Sequence, residues 1–265
     1  MLGRLDYSET SQILVLFTRE HGKVRAIAKG VKRSTKTRFA TGIDLLDVGQ
    51  VVLSSRHERG EALATLTEWK QTRSLSGLRE KLIRIHAAQY AAEITTHLTE
   101  DWDPHAELFD ALAATLTRLA EATVALPAVV GFQFVLLEAI GSQPRFDACV
   151  VCGRESELTH FSSFEGGLVC RHCEPGQVEK WEVAAASIAI IRHLQECDWR
   201  TEDRRLKEDE VGSGEVSGRA ADDAGGWERS TVGAFAVLNY HISHLMGREP
   251  LLARSLVPVE KQRRV

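Results

Sequence analysis

The strongest constraint in the sequence is a pair of short cysteine repeats, Cys149-Val-Val-Cys152 and Cys170-Arg-His-Cys173, with 17 residues between them. Each CxxC turn sets two thiolates on one side of a knuckle. The segment between, with strand-like Leu158 to Phe164 and a Gly166-Gly167 turn, folds back to bring the knuckles together. Four thiolates fill a tetrahedral zinc site and leave no open position for water. Structural, non-catalytic Zn2+ is therefore expected at Cys149, Cys152, Cys170 and Cys173. A disulfide pairing and four unliganded thiols are the competing readings. His160 and His172 are available as substitute ligands, and Cys197, which has no partner in the pattern, reads as a small buried hydrophobe.

Charge divides the chain. Residues 1–80 hold 14 Lys+Arg and 9 Asp+Glu, a net of +5, while the rest carries −9 within a whole-chain value of −4. Between residues 19 and 38, Arg19, Lys23, Arg25, Lys29, Lys32, Arg33, Lys36 and Arg38 face a single acid, Glu20. A basic N-terminal module on an acidic body points to a polyanion such as nucleic acid, although such cations also serve simply to solvate an exposed hairpin.

The same region reads as short strands. Ile13 to Phe17 is a β-rich run, and in Lys23 to Ala28 the apolar Val24, Ala26 and Ala28 alternate against Lys23, Arg25 and Ile27 across a His21-Gly22 connection. Val48 to Ser54 and Ala62 to Trp69 are further strands, the last with Leu63, Thr65, Thr67 and Trp69 on one face and Ala64, Leu66 and Glu68 on the other. Several short strands over 1–74 predict a small β-barrel, with Lys32 to Arg38 as a Ser/Thr-bearing loop beside it. Tyr7, Phe17, Phe39 and Trp69 are the aromatics available for base stacking, and each competes with a place in the core.

From residue 75 the period becomes helical. Apolar residues at helical spacing predict helices over Ser76 to Thr99, from Asp103-Pro104 through Leu119, and from Pro127 to Gly141. Val183 to Leu194 and Thr231 to Met246 continue the pattern after the cysteines. Between them, Trp199 to Glu228 has nine acids and few large apolar residues, and is expected to be a disordered insertion. The expected fold is thus α+β: a barrel domain over 1–74 and a helical domain over 75–265, with a zinc module over 146–176 and the acidic insertion over 199–228.

Several classes drop out. With 43% hydrophobic and 26% charged residues the composition is globular. The longest apolar stretch, Val124 to Ile140, is broken by Pro127, Gly131 and Gln133 and falls short of the roughly 20 residues of a membrane span. Arg4, Asp6 and Glu9 stand where a signal peptide needs an apolar core, so a cytoplasmic location is expected. His105-Ala-Glu107 matches half of a zinc-deaminase signature, but Ala148 stands where its proline should be, and two cysteines would be left idle. No phosphate loop, nucleophile elbow or H-E-x-x-H motif is present, and no enzymatic activity is expected.

Two segments carry a family likeness. Asp6-Tyr-Ser-Glu-Thr, followed by Leu14 through Arg33, resembles the N-terminal signature of the bacterial recombination mediator family RecO, and Leu245-Met-Gly-Arg-Glu-Pro-Leu-Leu-Ala-Arg-Ser resembles its C-terminal segment. The likeness covers nearly the whole chain except 199–228. It implies an OB-fold for the barrel and a nucleoid-associated, non-catalytic protein of DNA repair and homologous recombination. Such a protein binds single- and double-stranded DNA and anneals complementary strands. With RecR and the C-terminal tail of single-strand binding protein, it helps load RecA. Matched to the basic hairpin and loop of the family, Lys23, Arg25, Lys29, Lys32 and Arg33 are the expected DNA-binding residues, with Lys36 and Arg38 extending the set. A protein-only scaffold and an RNA-binding zinc ribbon protein are the rival functions; preference for RNA over DNA of the same sequence would mark the latter.

Overall fold

The computed structural model describes residues 1–31, 43–54, 63–197, 199 and 224–257. They divide into two compact units, residues 1–121 and 122–265.

The first unit is built on five strands, β1 (Gly3–Asp6), β2 (Gln12–Thr18), β3 (Gly22–Ala28), β4 (Val48–Ser54) and β5 (Ala64–Arg73), in the order β1-β2-β3-β5-β4. All neighbours are antiparallel except β3 and β5, which run parallel from Ala26↔Ala64 to Ala28↔Leu66. The alternation in β3 places Val24, Ala26 and Ala28 inside with Leu14, Leu16, Ala64 and Leu66, a fully apolar layer. The expected closed barrel is not formed: among the described residues no ladder joins β1 to β4. The seam there is bridged by single backbone bonds such as Leu46 N–H to the Met1 carbonyl at 2.9 Å. Strand β1 escaped the sequence pattern because Gly-Arg-Leu-Asp has one large apolar residue; pairing with β2 makes it a strand.

Strand β5 also departs from simple alternation. Leu66 and Trp69 were expected on opposite faces, yet both are buried, at 3% and 9% exposure. The register explains this: Val52 faces Glu68 and Leu53 faces Leu66, so Thr67 is an extra residue that shifts the phase. Its hydroxyl donates to the Val52 carbonyl at 3.0 Å.

The helix expected over Ser76–Thr99 begins as a 3-10 turn, Ser76–Arg79, and restarts after an extended Lys81 as α1 (Leu82–Leu98). Buried Arg84 joins the pieces, donating to the carbonyls of Gly77 (3.0 Å) and Ala120 (2.8 Å). Helix α2 (Ala106–Glu121) starts two residues after the expected Pro104, and Asp103 pairs with His105 at 3.0 Å instead of capping it. Phe109 of α2 lies against Phe17 of β2, ring centres 6.3 Å apart.

In the second unit, α3 (Leu126–Ala139) is buried at every position from Pro127 to Leu137, the mark of a central helix. Helices α4 (Ala185–Glu196) and α5 (Ala224–Met246) pack with it and with each other, and a short α6 (Ala253–Leu256) follows. A three-stranded sheet, β6 (Leu158–Ser162), β7 (Gly167–Cys170) and β8 (Trp181–Glu182), in the order β7-β6-β8, carries the cysteines.

The boundaries of the acidic insertion are corrected at both ends. Residues 200–223 lie outside the described residues, but Trp199 is core, 3% exposed, with its indole N–H on the Leu194 carbonyl at 2.7 Å. Its ring lies where a Cβ on Gly131 would approach to 2.0 Å, so glycine in the middle of α3 makes room for it. Helix α5 likewise begins at Ala224, seven residues before the expected Thr231. A composition window averages over such ends and misses a single anchoring aromatic. No helix among the described residues is long and apolar enough to cross a membrane.

Candidate metal centre and basic strand

The four cysteines converge. Their Sγ atoms all lie within 4.8 Å of one another, those of Cys152 and Cys170 3.7 Å apart. A tetrahedron of ~2.3 Å metal–sulfur bonds has edges of about 3.8 Å, so this donor set fits a tetrahedral metal ion. Local backbone bonds build the first knuckle: Gly153 N–H donates to the Cys149 carbonyl and Cys149 N–H to the Arg154 carbonyl, both at 2.8 Å. In the second, Cys173 N–H donates to the Cys170 carbonyl at 3.0 Å. Strand pairing of β6 with β7, and Val150 N–H to the Leu168 carbonyl at 2.9 Å, hold the knuckles together.

The thiols differ in environment. Burial would raise the Cys149 thiol, but backbone hydrogen bonds from Cys170, Cys152 and Val151 outweigh it and bring it down to about 6. Cys173, beside the sulfurs of Cys152, Cys170 and Cys149, is pushed up to about 12. One sulfur is thus prepared as a thiolate by the fold, and the crowding that raises another is what a cation relieves. Cys197 lies apart from this cluster, half-buried, its thiol 3.5 Å from the His193 carbonyl. His160 turns to Thr159, with Oγ1 and Nδ1 2.9 Å apart.

Behind the knuckles a polar latch ties the β6–β7 hairpin to α5. Glu179 accepts from Ser162 Oγ and the Phe164 amide, each at 3.0 Å, and from the Tyr240 hydroxyl. Its burial alone would raise its pKa, but these donors hold it below the usual carboxylate range, while burial and then the Glu179 carboxylate drive the Tyr240 phenol up. Alongside, His241 Nδ1 sits 2.8 Å from Ser163 Oγ and Nε2 lies 3.0 Å from the Ser142 carbonyl. A carbonyl can only accept, so Nε2 carries a proton, and burial lowers the pKa of the ring. Sequence reasoning missed this latch, whose bonds to α5 join residues 61 to 99 positions apart with no motif linking them.

The basic strand is divided. Lys23 was expected on the DNA-binding surface; it is 7% exposed, its ammonium donating to the carbonyls of Thr96 (2.7 Å) and Thr99 (2.5 Å) and pairing with Asp101 at 3.3 Å. Gly22 explains the burial. At φ +63° it lets residues 101–103 run alongside β3, so close that a Cβ would sit 1.8 Å from the Asp103 carbonyl oxygen, and Trp102 N–H bonds the Lys23 carbonyl at 2.8 Å. Lys23 therefore caps the C-terminal end of α1, where a helix favours a cation. Arg25 stays outside, its side chain 62% exposed and 3.4 Å from Asp101, and Lys29 is exposed. Arg19 is held by Asp110 of α2 through bonds of 3.0 to 3.2 Å. Lys32, Arg33, Lys36 and Arg38 lie outside the described residues. Of the candidate stacking aromatics, Phe17 and Trp69 are buried, Phe39 is outside the described residues, and Tyr7 is 63% exposed.

Fold and site together define the class: a mixed α+β protein with an N-terminal sheet, a helical C-terminal part and a four-cysteine cluster able to hold a metal ion. Two family models match it, "Recombination protein O N terminal" over residues 1–75 and "Recombination protein O C terminal" over 79–212. The chain is 34% identical over 198 residues to DNA repair protein RecO of Rhodopirellula baltica, covering 73% of this chain and 72% of that one. It is 35% identical over 198 residues to the protein of the same name from Anaeromyxobacter dehalogenans (74% and 77%), and 31% over 192 residues to that of Bacillus pumilus (72% and 73%). The chain belongs to the RecO family.

Proposed function

We propose that this protein is a non-catalytic mediator of DNA repair and homologous recombination. It binds single- and double-stranded DNA, anneals complementary strands and, with RecR and the C-terminal tail of single-strand binding protein, helps load RecA. Membership of a family whose relatives carry the name DNA repair protein supports the role. The observation that carries the binding site is the exit of β3: Arg25 and Lys29 stand at the surface just ahead of Lys32, Arg33, Lys36 and Arg38 in the sequence. Such cations hold backbone phosphates whatever the base sequence, and neutralising both strands lowers their repulsion and leaves the bases free to find a complement. Lys23 is withdrawn from this set.

The five-strand order, with β3 and β5 parallel, supports reading the sheet as an OB-fold with an open seam. Zn2+ is the metal best suited to four thiolates, held by Cys149, Cys152, Cys170 and Cys173, where it supplies folding stability. The protein acts in the cytoplasm at the nucleoid.

Annealing of two complementary oligonucleotides, precoated with single-strand binding protein and followed without ATP over a salt series, tests the function. Salt-sensitive acceleration is expected; absence of both acceleration and DNA binding would replace this reading with a protein-only scaffold. Neutralising Lys29, Lys32 and Arg33 together should flatten the salt slope of affinity for single strands by roughly 2 log units per log of salt.

A further inference from the structure

The four cysteines form one cluster, yet they do not face water alike. Cys149 and Cys170 are buried, at 1% and 0% exposure, Cys173 is half-buried, and Cys152 is exposed. Cys152 stands in the first knuckle within a run, residues 151–157, that is exposed throughout. Gly153 beside it has φ +77°, and nothing lies within 4 Å of the place a Cβ there would take, so a small molecule has an open approach from that side. Behind Cys152 lie the other three sulfurs, all within 4.8 Å, with the buried Cys170 sulfur of the second knuckle at 3.7 Å. A disulfide needs sulfurs about 2.05 Å apart, so a movement of less than about 2 Å joins this pair. An accessible cysteine backed by a second sulfur within reach is the arrangement of a peroxide-reactive thiol and its resolving partner.

We propose that Cys152 is a site of oxidative modification by hydroperoxides, and that Cys170 resolves it as a Cys152–Cys170 disulfide with loss of the metal ion. This rests on the metal reading above and adds to it that the site responds to oxidants. The Cys152 thiolate attacks the peroxide: an S–O bond forms, the O–O bond breaks and hydroxide leaves, giving the sulfenic acid. The Cys170 thiolate then attacks the Cys152 sulfur, an S–S bond forms, the S–O bond breaks and a second hydroxide leaves. Two thiolates are oxidised to one disulfide and the peroxide is reduced to two hydroxide ions. Cys149 and Cys173, left as the remaining pair, are too few to hold a tetrahedral ion. The module does not depend on the metal alone in that state. Pairing of β6 with β7 and the bonds of Glu179 to Ser162, Phe164 and Tyr240 use no cysteine side chain, and the new disulfide ties one knuckle to the other. Oxidation and chelation therefore leave different products: a stapled module in the first case, two untied knuckles in the second.

Hydrogen peroxide added to the full, zinc-loaded chain tests this, with the metal followed by a chromogenic dye and the cysteines by mass spectrometry of unreduced peptides. Zinc should be lost, the peptide holding Cys152 should be linked to the one holding Cys170, and dithiothreitol with added zinc should restore the starting state. The oxidised chain should melt at a higher temperature than the reduced chain treated with a chelator, because the disulfide closes the loop between the knuckles. Cys152→His, which keeps a fourth ligand atom, should retain zinc under the same peroxide treatment. Should that variant fail to load zinc, the wild-type peptide map decides by itself. Zinc kept by wild type, linkage of Cys149 to Cys152 or of Cys170 to Cys173 in place of the cross-knuckle pair, or equal loss of zinc from wild type and Cys152→His overturns the proposal and leaves the metal reading intact. A chain that binds no zinc before peroxide is added overturns the metal reading and the proposal with it.

Discussion

The cysteine knuckles and the basic strand are the two clusters that the sequence marks most clearly, and folding treats them differently. Cys149, Cys152, Cys170 and Cys173 all arrive at one point, within 4.8 Å of each other. Strand β3 and its exit distribute their cations: Lys23 goes inside, Arg25 leans on Asp101, and Lys29, just past the strand, remains on the surface. The knuckles converge because their geometry is local, two CxxC turns joined by one short hairpin. The fate of Lys23 depends on residues more than 70 positions away, which no spacing rule connects to it. Charge in a sequence shows how many cations there are; only partners show which are free.

The largest consequence of this difference should appear at the knuckles. With zinc as the proposed occupant, replacing Cys170 by Ser, or treating the protein with a chelator, should lower the thermal stability of the second unit severely, since zinc in such a segment contributes on the order of 10 kcal/mol to its folding. Zinc content by a chromogenic assay and thermal unfolding by circular dichroism check this; an unchanged melting temperature would reduce the knuckles to four packed thiols.

Lys23→Met should cost about 2 kcal/mol, because the carbonyls of Thr96 and Thr99 and the Asp101 carboxylate lose a buried cation. Urea unfolding measures the loss. The salt slope of DNA affinity should stay at the wild-type value, and a flatter slope would return Lys23 to the phosphate-binding set.

A smaller effect should come from the latch behind the knuckles. His241 has its pKa lowered by burial, so the unfolded chain binds its proton first as pH falls. Stability of the second unit is then full above about 6.5, the ordinary histidine value, and declines below it. The slope attributable to this group cannot exceed about 1.4 kcal/mol per pH unit. His241→Gln should flatten the acid limb of a stability–pH curve, and an identical limb in the variant would place the titrating group elsewhere.

The smallest change is that of one surface cation. Lys29→Ala should leave unfolding within about 0.5 kcal/mol of wild type and reduce the salt slope for single strands by roughly 0.7. A stability loss matching that of Lys23→Met would erase the distinction between buried and exposed cations of the basic segment.

Period and punctuation were enough to read the α+β order of the chain, four of the five N-terminal strands among the described residues, the central helices and the metal-competent cysteines. Those features depend on neighbours a few residues apart: strand alternation, helical spacing, CxxC turns and a glycine stop at Gly141. The tertiary structure decided what depends on distant partners. It made a strand of Gly3–Asp6 by pairing, moved Trp69 inward through the extra residue Thr67, and anchored Trp199 against Gly131. It also drew Lys23 into the interior, since a buried ammonium is tolerable only where the fold brings carbonyls and a carboxylate to meet it.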